Sequence, residues 1–266
     1  YPPFYSRGPF LYFLRQAPQQ GLEFVLRLVN FATHRRVEQI ERRARRPPEY
    51  ALEFAVSSPV PVEVHLQEGV RLWHGDQRVF SWAQCPLGSN ILGSALMALE
   101  KWLDEQLEEG VDVSKWIGQI LHRSESVAFA GVLLALAKKH RSLLVGEARW
   151  LLGTPAFYAW DYNCALQSAS APPAMIGWNL RRGAAAEAAG QWHRAPHRAQ
   201  SLLELVPREL MASPDLHEYL ASVRERWAQE SRGQSPVLEP LIARLDPANY
   251  RRYRLEDGRV LVQLEW

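Results

Sequence analysis

The stretch VAFAGVLLALA, Val127 to Ala137, carries no polar side chain on any face. A helix built from it has no wet side, so neighbours must cover it all round. It is about half the roughly 20 residues a membrane-spanning helix needs, which makes it a core helix rather than a span. Ala128, Ala130, Gly131, Ala135 and Ala137 are small enough to let other helices approach closely. The spacing therefore predicts a helix lying between layers. Its basic end, Lys138-Lys139-His140, suits a helix C-terminus and is expected to mark the return to solvent.

The flanking sequence supplies those neighbours. Two helices are expected at about 9–17 and 20–45, the second with an apolar stripe at Leu22, Val25, Leu26, Val29 and Ala32 and a stop at Pro47-Pro48. Alternation at Val60, Val62, Val64 and Leu66 predicts a strand, paired with RVFSW at 78–82 across the HGDQ turn. Helices resume with SALMALEKWLDEQLEEG, where Leu96, Leu99, Trp102, Leu103 and Gln106 share a broad side and Gly110 stands at the C-terminal cap position. DVSKWIGQILHRS and RSLLVGEARWLLGTP complete four consecutive helices, whose short connections favour antiparallel neighbours. Beyond Asp161 the pattern loosens through SASAPPAM and RRGAAAEAAG, and an irregular excursion is expected. Helices return at about 197–211 and 214–230, the latter with Ser213 as N-cap and Pro214 in the first turn. A closing hairpin turns on Asp257-Gly258.

The fold class is thus mainly α: an irregular layered helical array, α-solenoid-like though without a clean repeat period, with a small inserted β hairpin or meander and a C-terminal β hairpin. Its organisation divides as a helical pair at 1–48, a β insertion at 49–88, a four-helix core at 89–161, an irregular segment with helices at 162–249, and the hairpin at 250–266. Tyr1 in place of Met, and alternation at Val260, Val262, Leu264 and Trp266, lead to the expectation that the natural chain continues.

Charge narrows the partners. With 31 Lys plus Arg against 29 Asp plus Glu, the net charge of +2 gives no general pull toward nucleic acid or anionic lipid, and no membrane is expected as a partner. A basic run could act locally: Arg35, Arg36, Arg42, Arg43, Arg45 and Arg46 lie on the helix at 34–46 and form a candidate nucleic-acid patch. Glu38 and Glu41 dilute it, and a solvated helix face is the plainer reading. Cys85 and Cys164 lie far from each other in sequence, which suggests neither a disulfide framework nor a zinc knuckle and fits a reducing cytoplasm.

No catalytic or cofactor motif is complete. GSNILGS has phosphate-loop spacing, but no Lys follows Gly93 to meet the phosphates, so it reads as a loop and helix start. His193 and His197 have the spacing of a metal pair, yet Pro196 interrupts any helix that would aim both rings one way. Asp161 among Phe157, Tyr158, Trp160 and Tyr162 could be a general acid; the plainer account is a cap for the helix that follows, with the aromatics as packing. The tryptophans are scattered as core anchors are, not gathered into a platform.

GPFLYFLRQAPQQGLEFVLRLVNFATH, SALMALEKWLDEQL, RSESVAFAGVLLALAKKH, LLGTPAFYAWD and LDPANY together resemble the helical region of very large, poorly characterised bacterial ATP-binding proteins. Those carry a P-loop NTPase module elsewhere in the chain. The resemblance implies ATP and magnesium bound elsewhere in the parent, with no cofactor in this segment and no catalytic residue to transfer. The leading expectation is a non-catalytic helical scaffold or sensor, whose partners are other domains of the same chain or other proteins. The alternatives are nucleic-acid binding through the basic helix and, last, a hydrolase built on Asp161 and His193.

Overall fold

The first helices start where the chain chemistry dictates. In the computed structural model, which describes residues 2–44, 61–84, 89–170, 178, 182–231, 238–254 and 260–264, α1 (Phe10–Gln16) and α2 (Pro18–Ala44) meet at a tight corner. Pro18 opens α2, where a missing N–H costs nothing. A hairpin follows, β1 (Val62–Leu66) and β2 (Gly69–Trp73), antiparallel with Glu63 opposite Leu72 and Leu66 opposite Gly69. Val64 and Leu66 face the core, as the alternation predicts.

The second strand is not the expected one. RVFSW does not pair; it forms α3 (Gln77–Phe80) and a 3-10 turn at Ser81–Ala83. The Asp76 carboxylate accepts the Val79 N–H at 2.9 Å and starts the helix. Val79, Phe80 and Trp82 then all point inward, which a strand would split between two faces.

Next come α4 (Asn90–Glu108), α5 (Ser114–Arg123) and α6 (Ala128–Lys139), as expected. Gly110, at φ +75°, turns the chain out of α4 in the left-handed conformation that favours glycine. The fourth expected helix is broken. It becomes α7 (Ser142–Val145) and a 3-10 segment, Glu147–Gly153, because Gly146 leaves helical geometry at ψ −129°. That segment is held from outside: the Gly153 carbonyl accepts from Arg226 Nη2 at 2.7 Å and Trp227 Nε1 at 3.3 Å.

Helix α8 (Pro155–Ser170) runs through Asp161. Most of the irregular excursion expected after Asp161, at 171–177 and 179–181, lies outside the described residues; on either side of it the chain is helical, with α8 continuing nine residues past Asp161 and AAAEAAGQWH forming α9 (Ala184–His193). Its alanines outweigh the glycines that suggested a loop. A 3-10 turn at Pro196–Ala199 leads into α10 (Leu202–Ala212), then α11 (Pro214–Ser231) and α12 (Leu238–Arg244). The Ser213 hydroxyl accepts the Leu216 N–H, as expected of the cap. The closing hairpin pairs β3 (Tyr250–Arg254) with β4 (Val260–Leu264); Asp257-Gly258 lies outside the described residues.

Helix α6 lies between layers. It packs against α4, α3, α8 and both 3-10 segments at 81–83 and 147–153, and every residue from Ala128 to Lys138 is buried. Gly131 allows the closest approach: a Cβ there would collide with the Phe80 carbonyl oxygen. Burying Phe129, Val132, Leu133, Leu134 and Leu136 contributes about 1.5–3 kcal/mol each.

Candidate functional site

The last turn of α6 returns to solvent at Lys139, as expected, but not at Lys138. Lys138 is buried, and its Nζ donates to Asp161 Oδ1 at 2.7 Å and to the Gln200 carbonyl at 3.0 Å. Asp161 uses its other oxygen to accept the Leu202 N–H at 2.7 Å. It is a capping residue, as the plainer reading held, but for α10 rather than the helix expected. Both charges are compensated by a partner and by backbone, which a buried pair requires. Asp161 is thereby committed, and neither it nor His193 lines the clefts described below.

One side of α4 faces this charged end. Glu100, Asp104 and Glu108 recur every four residues and so form one ridge. Lys139 Nζ donates to both oxygens of Asp104, at 2.6 and 2.8 Å, and to Glu108 Oε1 at 2.6 Å; His140 Nε2 adds a contact to Asp104 Oδ1 at 2.8 Å. Burial pushes the Asp104 carboxyl up, but the bonds from His140 and Lys139 outweigh it and hold it below its usual range. Lys139, which burial alone would lower, is raised by its bonds to the same acids. At the other end of the ridge, Arg198 Nη2 donates to Glu100 Oε1 at 2.5 Å and its Nε to the Trp192 carbonyl at 2.9 Å. Burial raises the Glu100 carboxyl, against the pull of Arg198.

Between the ridge and α9 opens a cleft of about 340 Å³. Its polar wall is Glu100, Lys101, Asp104, Glu108 and Lys139; Tyr5, Leu136, Ala188 and Trp192 make the apolar wall, and Pro196 and His197 close one side. Tyr5 and Trp192 meet edge to face at 5.2 Å. His193 lies behind this wall, buried, with neither ring nitrogen hydrogen-bonded. Burial and then the Arg198 charge push both His193 and His197 down to about 3. Pro196 ends the helix between them as expected, and among the described residues no three His, Cys, Asp or Glu side chains gather to hold a metal ion.

A second, apolar groove of about 780 Å³ runs along the α1–α2 face, lined by Phe13, Phe24, Leu28 and Phe31 with Glu23 and Arg27 at its edge. Phe31 is 65% exposed and Phe24 45%. Further along α2, Arg35 and Arg42 share the Glu38 carboxylate at 2.8 and 3.3 Å, while Arg36 reaches Asp76 at 3.0 Å. The Arg43 side chain and Arg45 and Arg46 lie outside the described residues, as do Cys85 and Gly88. Cys164 is buried in α8. Among the described residues no helix is long and apolar enough to cross a membrane.

The cleft was not foreseen, although one signal was available. Glu100 falls four after Leu96 and three before Leu103, on the apolar side of α4, where a carboxylate needs a reason. Its partner Arg198 stands 98 positions away, and no local pattern links them. Comparison with protein families finds no matching family, and comparison with curated proteins finds no relative.

Proposed function

We propose that this chain is a non-catalytic helical scaffold or sensor segment of a larger ATP-binding protein, acting through contacts with other domains or other proteins. The observation that carries the reading is the aromatic face of α1 and α2. Phe24 and Phe31 leave large rings in water along an apolar groove rimmed by Glu23 and Arg27. An apolar centre with a polar rim is the anatomy of a protein contact, and contiguous exposed apolar surface marks such sites. The likeness of the helical segments to those of NTPase-bearing chains supports the choice of partner, with ATP and magnesium held there and not here. A cytoplasmic setting belongs to the same proposal, supported by Cys164, which is buried in α8 outside any disulfide.

The test is site-specific photo-crosslinking in the source cell from position 31, with exposed Gln229 on α11 as the control position. Crosslinks from position 31 to a polypeptide bearing a P-loop module support the reading. Equal capture from both positions, or capture only of chains without such a module, overturns it.

A further inference from the structure

We propose that the outer edge of β2 takes up an extended peptide as a third, antiparallel strand, with an acidic residue of that peptide opposite Arg71 and apolar residues opposite Val70 and Leu72. The register of the hairpin fixes which backbone groups are left over. Leu66 faces Gly69 across the two-residue turn Gln67-Glu68, and pairs that exchange hydrogen bonds alternate from there: Leu66 with Gly69, Val64 with Arg71, Val62 with Trp73. The N–H and C=O of Glu63 and His65 then point out of the β1 edge, and those of Val70 and Leu72 out of the β2 edge. Two contacts outside the hairpin agree. On the β1 edge, Thr154 Oγ1 donates to the Glu63 carbonyl at 2.9 Å. On the β2 edge, two residues beyond Leu72, the His74 N–H donates to the Glu125 carbonyl at 2.7 Å and the His74 carbonyl accepts the Val127 N–H at 3.0 Å.

The β1 edge packs on the 147–153 segment, whereas the β2 edge is covered at His74 alone. Among the described residues no backbone group outside the hairpin bonds to Val70 or Leu72, and no helix packs closely along them. Both are apolar and stand in water, at 54% and 55% exposed. Such an edge is a template for another strand, and its main-chain groups accept only an extended backbone. Charge selects among strands. Glu63, Glu68 and Glu125 each stand beside a histidine, at 3.5, 3.5 and 2.6 Å, but exposed Arg71 has no ion-pair partner among the described residues. Arg71 lies on the face of the hairpin away from Glu63, at a position where side chains of neighbouring strands come closest, so an acid directly opposite it meets a cation. A second copy of this chain is the poorer occupant: β2 paired antiparallel with itself over its whole length sets Arg71 against Arg71, and like charges directly opposite destabilise. This inference is independent of the contact proposed for the α1–α2 face.

Fluorescence anisotropy of the whole chain with the labelled peptide Thr-Val-Glu-Val-Thr tests it, beside two controls: the same peptide N-methylated at both valines, and the peptide with Lys in place of Glu. Saturable one-to-one binding of the first, at least about tenfold tighter than either control, is expected. Amide hydrogen exchange at Val70 and Leu72 should slow when it binds. Arg71→Glu changes an exposed side chain and leaves the hairpin ladder intact, so it should invert the preference toward the Lys peptide. No saturable binding, equal binding of the N-methylated peptide, unprotected Val70 and Leu72 amides in the complex, or an unchanged preference in Arg71→Glu would each overturn the proposal. A dimer of the chain that protects the same two amides without peptide would make the second copy the occupant, and would overturn it as well.

Discussion

The apolar stretch of α6 and Lys138, which follows it, are equally buried and differently held. From Ala128 to Ala137 the helix is covered mostly by apolar groups that ask only for space, apart from Gln84 Nε2 donating to the Gly131 carbonyl at 3.2 Å, and its closest contact is the Phe80 backbone against Gly131. The next residue, Lys138, is just as deep, but it must be met by Asp161 and the Gln200 carbonyl, atom for atom. The first kind of burial tolerates any apolar neighbour of the right volume; the second fails if a single partner is removed. The fold thus gains position from the charged end. Lys138, Asp161 and Leu202 tie α6, α8 and the start of α10 together, and Arg198 with Glu100 ties α4 to the turn before it.

The largest effect should come from breaking the charged end. Asp161→Ala leaves Lys138 buried and unpaired and the Leu202 N–H uncapped, with an expected loss of about 3–5 kcal/mol. Chemical denaturation measures it. Lys138→Met combined with Asp161→Leu should recover a large part of that loss, since no charge is then stranded. A double variant no more stable than Asp161→Ala would show that the cap on α10, not the ion pair, dominates.

The apolar end comes next. Gly131→Leu must push its Cβ into the Phe80 carbonyl, and overpacking costs about 1–3 kcal/mol, occasionally more. Leaving glycine would by itself gain up to about 1 kcal/mol of helix propensity. The opposing signs make the denaturation midpoint decisive: a raised midpoint would mean that α3 yields easily and that this contact does not fix the layer spacing.

These ends also differ in how far they can be read from sequence. The apolar middle of α6 was legible because no arrangement leaves eleven such residues beside water. Its end was not, because Lys-Lys-His at a helix terminus looks the same whether Asp161 waits opposite or not. RVFSW failed for a related reason: its alternation permits a strand, and only the Asp76 cap and the place reserved for Phe80 against Gly131 select a helix. Long-range polar pairing has no period. What α4 did offer was an acidic ridge at Glu100, Asp104 and Glu108, visible as spacing but not as a cleft until α9 closes over it.

Acid should separate the two kinds of burial further. Nothing in the 128–137 stretch titrates, whereas His193 is held neutral behind the charged cleft, with its pKa at about 3 against an ordinary 6.5. The unfolded chain therefore binds the proton that the folded chain refuses, so stability falls as pH drops from about 6.5 toward 3. Between pH 7 and pH 5 this one group should cost about 1–2 kcal/mol, at 1.36 kcal/mol per unit. His193→Leu should remove about half of the slope over that interval, because His197, also held down to about 3, carries a similar share; an unchanged slope would assign the acid sensitivity to other groups.

The smallest effect is expected where the same charge chemistry stands in water. On α2, Glu38 receives Arg35 and Arg42 at helical spacing, with all three side chains about half exposed or more. Such pairs contribute about 0.2–0.5 kcal/mol each, because solvent screens what it also hydrates. Glu38→Gln should accordingly shift the midpoint by a few tenths of a kcal/mol, roughly a tenth of the Asp161 effect. It also frees two arginines for phosphate, which makes it a probe of the basic helix. If that face is merely solvated, fluorescence anisotropy with duplex DNA will show weak binding in both wild type and variant, gone at physiological salt. A variant that gains sequence-selective binding surviving that salt would mean that Glu38 restrains a real nucleic-acid surface, and that exposed charge on α2 is held in reserve as specifically as buried charge is held in place at the end of α6.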